Sequence, residues 1–122
     1  MSGTTSGVQC TSSDTGTDMT VFRGKSLSFE IVWGGPTPID VTGYTASLQV
    51  RSYSGRVLME LSSANGRVAN GGATGRFMFT APPSVTRAVD THGTYEVELT
   101  TASGQVYRVI SGNAAIEEEI VP

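Results

Sequence analysis

The feature that most constrains this chain is an alternation of period two, clearest in Ser26–Trp33, where Leu27, Phe29, Ile31 and Trp33 are separated by Ser28, Glu30 and Val32. That period lays four apolar side chains on one face of an extended segment, which suits a half-buried strand and not a helix. It recurs in Tyr44–Arg51 through Ala46, Leu48 and Val50, in Arg76–Thr80 through Phe77 and Phe79, and in Thr94–Thr101 through Tyr95, Val97 and Leu99. Arg56–Leu61, Val106–Ile110 and Ala114–Ile120 read as further strands, and Arg67–Ala69 as a brief one. Between them stand Gly34-Gly35-Pro36, Ser54-Gly55, Asn65-Gly66, Asn70-Gly71-Gly72 and Ala102-Ser103-Gly104, residue types that favour turns and positive φ. The helical signal is confined to Pro83–Val89, a proline-led turn or two that connects strands. About seven or eight short strands without helix alternation predict an all-β fold, an antiparallel immunoglobulin-like sandwich, with a jelly roll as the competing arrangement.

At 122 residues the chain is long enough for one core and short for two. Residues 1–17 are Ser, Thr and Gly with few apolar side chains, too few to offset the entropy of ordering, and are read as a flexible arm ahead of a sandwich domain over 18–122. Ser62–Gly75 reads as a mobile loop. The net charge is −3 and the eight Lys and Arg residues are scattered, so no basic stripe is available for nucleic acid. No stretch approaches the roughly 18 apolar residues of a membrane span, and the first residues lack the basic start and apolar middle of an export signal. The expectation is a protein made in the cytoplasm and independent of membranes.

Catalytic chemistry finds little to work with. His92 is the only histidine, in a loop before Gly93, and no G-x-S-x-G elbow offers it a nucleophile. The lone Cys10 can form neither an internal disulfide nor a zinc cage. Ser13-Asp14-Thr15-Gly16-Thr17 is similar to part of a sialidase-propeller turn, but it occurs once and lacks the following aromatic. Gly71–Gly75 has neither the lysine nor the helix of a phosphate loop. Glu117, Glu118 and Glu119 point to alternate faces if extended, so they cannot converge on one cation and read instead as a charged edge that discourages sheet-to-sheet pairing. No enzyme, cofactor or metal site is expected. A sugar-binding module would need exposed aromatics, for which Tyr53 and Tyr107 are the candidates.

Phe22-Arg23-Gly24-Lys25 leading into Leu27-Ser28-Phe29, then Pro38-Ile39-Asp40-Val41-Thr42-Gly43-Tyr44-Thr45-Ala46, Gln49-Val50-Arg51, Gly93-Thr94-Tyr95-Glu96-Val97-Glu98-Leu99 and Val106-Tyr107-Arg108-Val109 are distributed from residue 22 to about 120. Together they resemble a small β-sandwich domain of tailed-phage structural proteins, similar to the N-terminal domain of upper baseplate proteins and to related short phage structural proteins. Lys25 stands where that pattern carries an acid. Read physically, Asp40 and Thr42 bond their own turn, Gly43 supplies an unusual backbone angle, and Arg23 is a candidate partner for Asp40.

The resemblance implies a non-enzymatic virion protein, made in the host bacterial cytoplasm, that assembles by protein–protein contacts in several symmetric copies. The expected partners are other virion proteins of the tail, baseplate or connector. The alternative is a capsid decoration, or cement, protein bound to the major capsid protein; a carbohydrate- or receptor-binding module is a third reading. Candidate partner-binding residues are Thr4, Thr5, Thr15 and Thr17 in the arm and Glu117, Glu118 and Glu119 at the acidic end, because neither segment is needed for the core.

Overall fold

The computed structural model describes residues 8–10, 14–15, 18–33, 37 and 39–118. The strands are β1 (Val8–Cys10), β2 (Asp14–Thr15), β3 (Met19–Phe22), β4 (Leu27–Trp33), β5 (Thr45–Ser52), β6 (Val57–Ser62), β7 (Val68–Asn70), β8 (Arg76–Ala81), β9 (Gly93–Thr100) and β10 (Val106–Glu117). A 3₁₀ turn, Gly72–Thr74, precedes β8, and the short helix α1, Pro83–Thr86, follows it. The strands form two packed sheets. One has the order β1-β4-β8-β7; the other runs β2-β10-β9-β5-β6, with β3 also paired to β10.

The hairpins β5–β6 and β9–β10 stay within one sheet, β7–β8 within the other, and the chain changes sheet between β1 and β2, β3 and β4, β4 and β5, β6 and β7, and β8 and β9. With β4, β8 and β7 facing β10, β9, β5 and β6, the strands form the all-β sandwich that the strand pattern predicted.

Burial follows the alternation. Leu27, Phe29, Ile31 and Trp33 of β4 and Phe77 and Phe79 of β8 face Leu48, Val50, Leu61, Val97, Leu99 and Ile110 of the other sheet. Phe29 and Phe79 are direct register partners whose rings stack at 4.8 Å and 9°, so the cross-strand pair that stabilises the sheet is also the middle of the core. Trp33 closes one end of the core against Tyr107, their ring centres 6.2 Å apart.

Three expectations are corrected. Val106–Ile110 and Ala114–Ile120 belong, as far as Glu117, to one twelve-residue strand. Its register with β9 shifts between Arg108 and Ile110, and this bulge lets the neighbours Val109 and Ile110 both be buried. A similar shift opposite Val50 and Arg51 buries both Leu58 and Met59 in β6.

The second correction concerns Arg23, which does not reach Asp40. Its guanidinium bonds Glu118 at 2.8 Å and donates to the Arg87 carbonyl at 2.8 Å, tying the end of β3, the α1 turn and the end of β10 together. Asp40 instead accepts from the Thr42 amide at 2.9 Å and its hydroxyl at 2.7 Å, as the turn chemistry anticipated. These Thr42 bonds hold the Asp40 carboxyl below the usual carboxylate range.

The third is the segment Ser62–Gly75, which is bonded throughout. Asn65 Oδ1 accepts from the Ser62 and Arg67 amides at 3.0 and 3.1 Å. Asn70 Nδ2 donates to the Val41 and Tyr44 carbonyls at 2.8 and 3.0 Å while its Oδ1 accepts from the Gly72 amide at 2.7 Å. Asn70 thereby clamps the loop that carries the fully buried Val41. Asn70→Ala is expected to cost about 1–2 kcal/mol, the net worth of these bonds, read as a lower urea midpoint with an unchanged slope. A loss below about 0.3 kcal/mol would show that the loop holds without the clamp.

Candidate interaction surfaces

Strand alternation leaves each sheet an outward face, and on the larger sheet that face is polar. Ser47, Gln49 and Arg51 of β5, Thr94, Glu96 and Glu98 of β9, and Ser111 and Asn113 of β10 line a shallow depression of about 690 Å³. Its side chains engage one another: Gln49 donates to Glu60 at 2.7 Å, Arg51 donates twice to Gln49 at 2.8 and 3.0 Å, and Arg108 lies 3.7 Å from Glu96. On the smaller sheet Arg76 pairs with Glu30. Such exposed pairs contribute little stability.

Glu96 and Glu98 point the same way from alternate positions of β9. The hydrogen bond from Glu96, then burial, then the Glu96 charge raise the Glu98 carboxyl above its usual value, with Arg108 opposing. A raised folded-state value means that the pair favours the folded protein below the ordinary carboxylate range and loses that contribution as pH rises through the raised value. Glu98→Gln should therefore raise Tm at pH 7, by the equivalent of about 0.5 kcal/mol after solvent screening, and leave it unchanged near pH 4. Equal Tm values for the two proteins at both pH values would mean that the carboxylates do not repel.

The aromatic candidates do not converge. Tyr53 and Tyr107 are both exposed, at 72% and 44%. Ser52, beside Tyr53, lies opposite Gly93, whereas Tyr107 lies opposite Leu99, six residues along β9. At roughly 3.3 Å per residue that is about 20 Å, too far for one sugar ring to stack on both. His92 is exposed, as its loop position suggested, but its Nδ1 accepts the Ile116 amide at 3.0 Å, which gives it a structural task at the strand edge. Among the described residues no three His, Cys, Asp or Glu side chains are grouped to hold a metal ion, and no helix is long and apolar enough to cross a membrane.

Of the residues singled out for partners, Thr4, Thr5, Thr17 and Glu119 lie outside the described residues. Thr15 is on β2, opposite Ser111 of β10. Glu117 and Glu118 are exposed at the end of β10, where Glu118 is taken by Arg23. Glu117 does not mark an outer edge, because β3 runs parallel beside it and pairs Phe22 with Glu117. Thr15 and Glu117 are also apart: their positions on β10, Ser111 and Glu117, are separated by about 20 Å of strand. The arm and the acidic end are two surfaces, not one.

The solved structures include a close match in architecture. Over 93% of this chain and 98% of the other, the fold superposes on the N-terminal domain of phage TP901-1 ORF48 with a TM-score of 0.59 at 10% identity. The two share a fold. Extracellular domains 3–5 of Drosophila OTK align over 92% of this chain and 35% of that one at 15% identity, with a TM-score of only 0.41. No protein-family model matches the sequence, and no curated protein matches it significantly. At 10% identity the likeness is one of fold.

Proposed function

We propose that this chain is a non-enzymatic structural protein of a tailed-phage virion, made in the host cytoplasm and assembled by protein–protein contacts in the tail, baseplate or head-to-tail region. The observation that carries the reading is the near-complete two-way coverage with the phage ORF48 domain, joined to the segments from Phe22 to Val109 that resemble upper baseplate proteins. Two further features favour it. The outward face of the larger sheet carries side chains bonded to one another, and the exposed aromatics stand at its opposite ends, which favours contacts through strand edges, loop tips and the segment before Met19. In this reading residues 1–17 are an arm and 18–122 the body, present in several symmetric copies.

The test separates phage heads from tails and quantifies the protein in each by mass spectrometry against the major capsid protein. A handful to a few dozen copies on tails is the expected result. Copies on heads in proportion to the major capsid protein would replace this reading with that of a decoration protein, and absence from both would end it.

A further inference from the structure

The chain holds three asparagines, and two of them, Asn65 and Asn70, precede glycine. Asparagine is a thermolabile side chain, and it loses ammonia fastest before glycine, because glycine sets no side chain between its own amide nitrogen and the asparagine Cγ. Asn113 precedes Ala114 on β10 and lacks that opening. The fold treats the two Asn-Gly sequences differently. Gly71 donates its amide to the Arg76 carbonyl at 2.7 Å, and a Cβ on Gly71 would meet Thr74 Oγ1 at 2.5 Å and the Arg76 carbonyl oxygen at 3.0 Å. Gly66 donates to the Ser63 carbonyl at 3.3 Å, and beyond its chain neighbours nothing lies within 4 Å of a Cβ built there. The nitrogen that must attack is tightly bonded and crowded at Gly71, and loosely bonded in open space at Gly66.

The side chains under attack are also held differently. Asn70 Nδ2 donates to the Val41 and Tyr44 carbonyls, whose loop is pinned by the fully buried Val41, so freeing Asn70 means lifting one part of the fold off another. Asn65 is held by its own turn. Its Oδ1 accepts from the Ser62 and Arg67 amides, its Nδ2 donates to the Glu60 carbonyl at 3.0 Å, and its amide donates to Ser62 Oγ at 3.1 Å. These partners all lie between Glu60 and Arg67, so the turn can open while the two sheets stay paired, and local openings of that kind need far less free energy than unfolding the whole domain. Asn65 and Gly66 are both exposed, so water and base reach them directly.

We propose that Asn65 is a site of spontaneous deamidation in the folded protein, and that the fold shields Asn70 from the same reaction. A solvent base takes the Gly66 amide proton, and the nitrogen attacks Asn65 Cγ to form a new N–C bond. The Cγ–Nδ2 bond then breaks, and Nδ2 takes a proton from water and leaves as ammonia. A second water opens the resulting cyclic imide. Opening at Cγ gives aspartate; opening at the main-chain carbonyl of residue 65 gives isoaspartate, whose main chain runs through the former side chain. No oxidant or reductant takes part. Either product adds one negative charge and removes the amide donor from the Glu60 carbonyl, which then keeps only the bond from Arg67, at 3.2 Å. Because β6 is the last strand of the larger sheet, the change loosens the closure of a sheet edge. The Asn70 clamp on Val41 is spared.

The experiment incubates the full-length protein in mildly alkaline buffer below its melting transition, beside a second sample held unfolded in urea, and follows the peptides carrying Asn65 and Asn70 by mass spectrometry over time. In urea the two sites are expected to convert at similar rates, since both precede glycine. In the folded protein Asn65 is expected to convert at least about tenfold faster than Asn70, the mark of local opening at one site and not the other. Ion exchange of the folded sample should resolve a more acidic species that accumulates in step with the Asn65 product. Asn65→Gln, whose longer side chain closes the ring poorly, should remove that species. Equal rates at the two sites in the folded protein, faster conversion of Asn70, an intact Asn65 in the folded protein after both sites have converted in urea, or no conversion in either sample would overturn the proposal.

Discussion

Phe79→Ala is expected to lose about 3–5 kcal/mol of folding stability, the range for removing a buried aromatic ring. Phe79 is fully buried and sits at the centre of the smaller sheet. Its register partners are Phe29 on β4 and Val68 on β7, and its ring stacks on Phe29 at 4.8 Å. Truncation removes the transfer energy of the ring and the stack together. It also leaves a cavity between two ladders of backbone hydrogen bonds that cannot close on it without breaking register. Denaturant unfolding should show a large drop in midpoint at unchanged slope. Phe79→Leu, which keeps most of the volume, should lose less. A Phe79→Ala protein within about 1 kcal/mol of the parent would mean that the two sheets do not pack through this pair.

Gly93→Ala should cost at least about 3 kcal/mol, at the upper end of overpacking and near the exceptional range for one methyl group. Gly93 opens β9 and is paired on both sides, with Ser52 of β5 and Ala114 of β10. A Cβ there would lie 1.8 Å from the Arg51 carbonyl oxygen, 2.8 Å from its carbon and 3.1 Å from Ser52 Cα. These are backbone atoms of a central strand, so no side chain can swing aside to make room. The strands must part, and the hydrogen bonds at that end of the ladder go with them. Gly55→Ala is the control: its φ is +94° but nothing lies within 4 Å of the added carbon, so the cost is the backbone preference alone, roughly 1–2 kcal/mol. If the two substitutions cost the same, the close approach of β5 to Gly93 is not what the glycine serves.

The contrast between those glycines shows where sequence reasoning stopped. Gly55 was legible, because Ser54-Gly55 between two alternating runs marks a hairpin whatever the rest of the chain does. Gly93 carried no local signal: its role depends on Arg51, far away in sequence and adjacent only once β5 and β9 pair. The same distinction separates Asp40, whose bonds to Thr42 are two residues away and were anticipated, from Arg23, whose partners Arg87 and Glu118 come from two distant elements. An arginine near an acid in a sequence is a weak guide to pairing, since the side chain reaches whatever the fold brings beside it.

The candidate surfaces divide along the same line. The polarity of the outward faces was written into the alternation of Ser47, Gln49, Arg51, Thr94, Glu96 and Glu98. The meeting of Glu96 with Glu98 could also have been noticed, because residues two apart on a strand share a face. The separation of Tyr53 from Tyr107, and of Thr15 from Glu117, could not, because it follows from which residue lies opposite which across β9 and β10.

By itself, then, the sequence determined what depends on near neighbours: strands of period two, turns at Gly and Asn, an all-β layered fold, and the apolar face of each strand that forms the core. These follow from backbone sterics and from burial, both set by residue type and spacing. The tertiary structure alone decided the rest: the bulge that buries Val109 beside Ile110, the continuous β10, the clamp of Asn70 on Val41, and the closing of two strand edges by the segment ahead of Met19. Each of these rests on register between strands remote in the chain, and register is fixed by the fit of whole faces against one another, which no local stretch of residues contains.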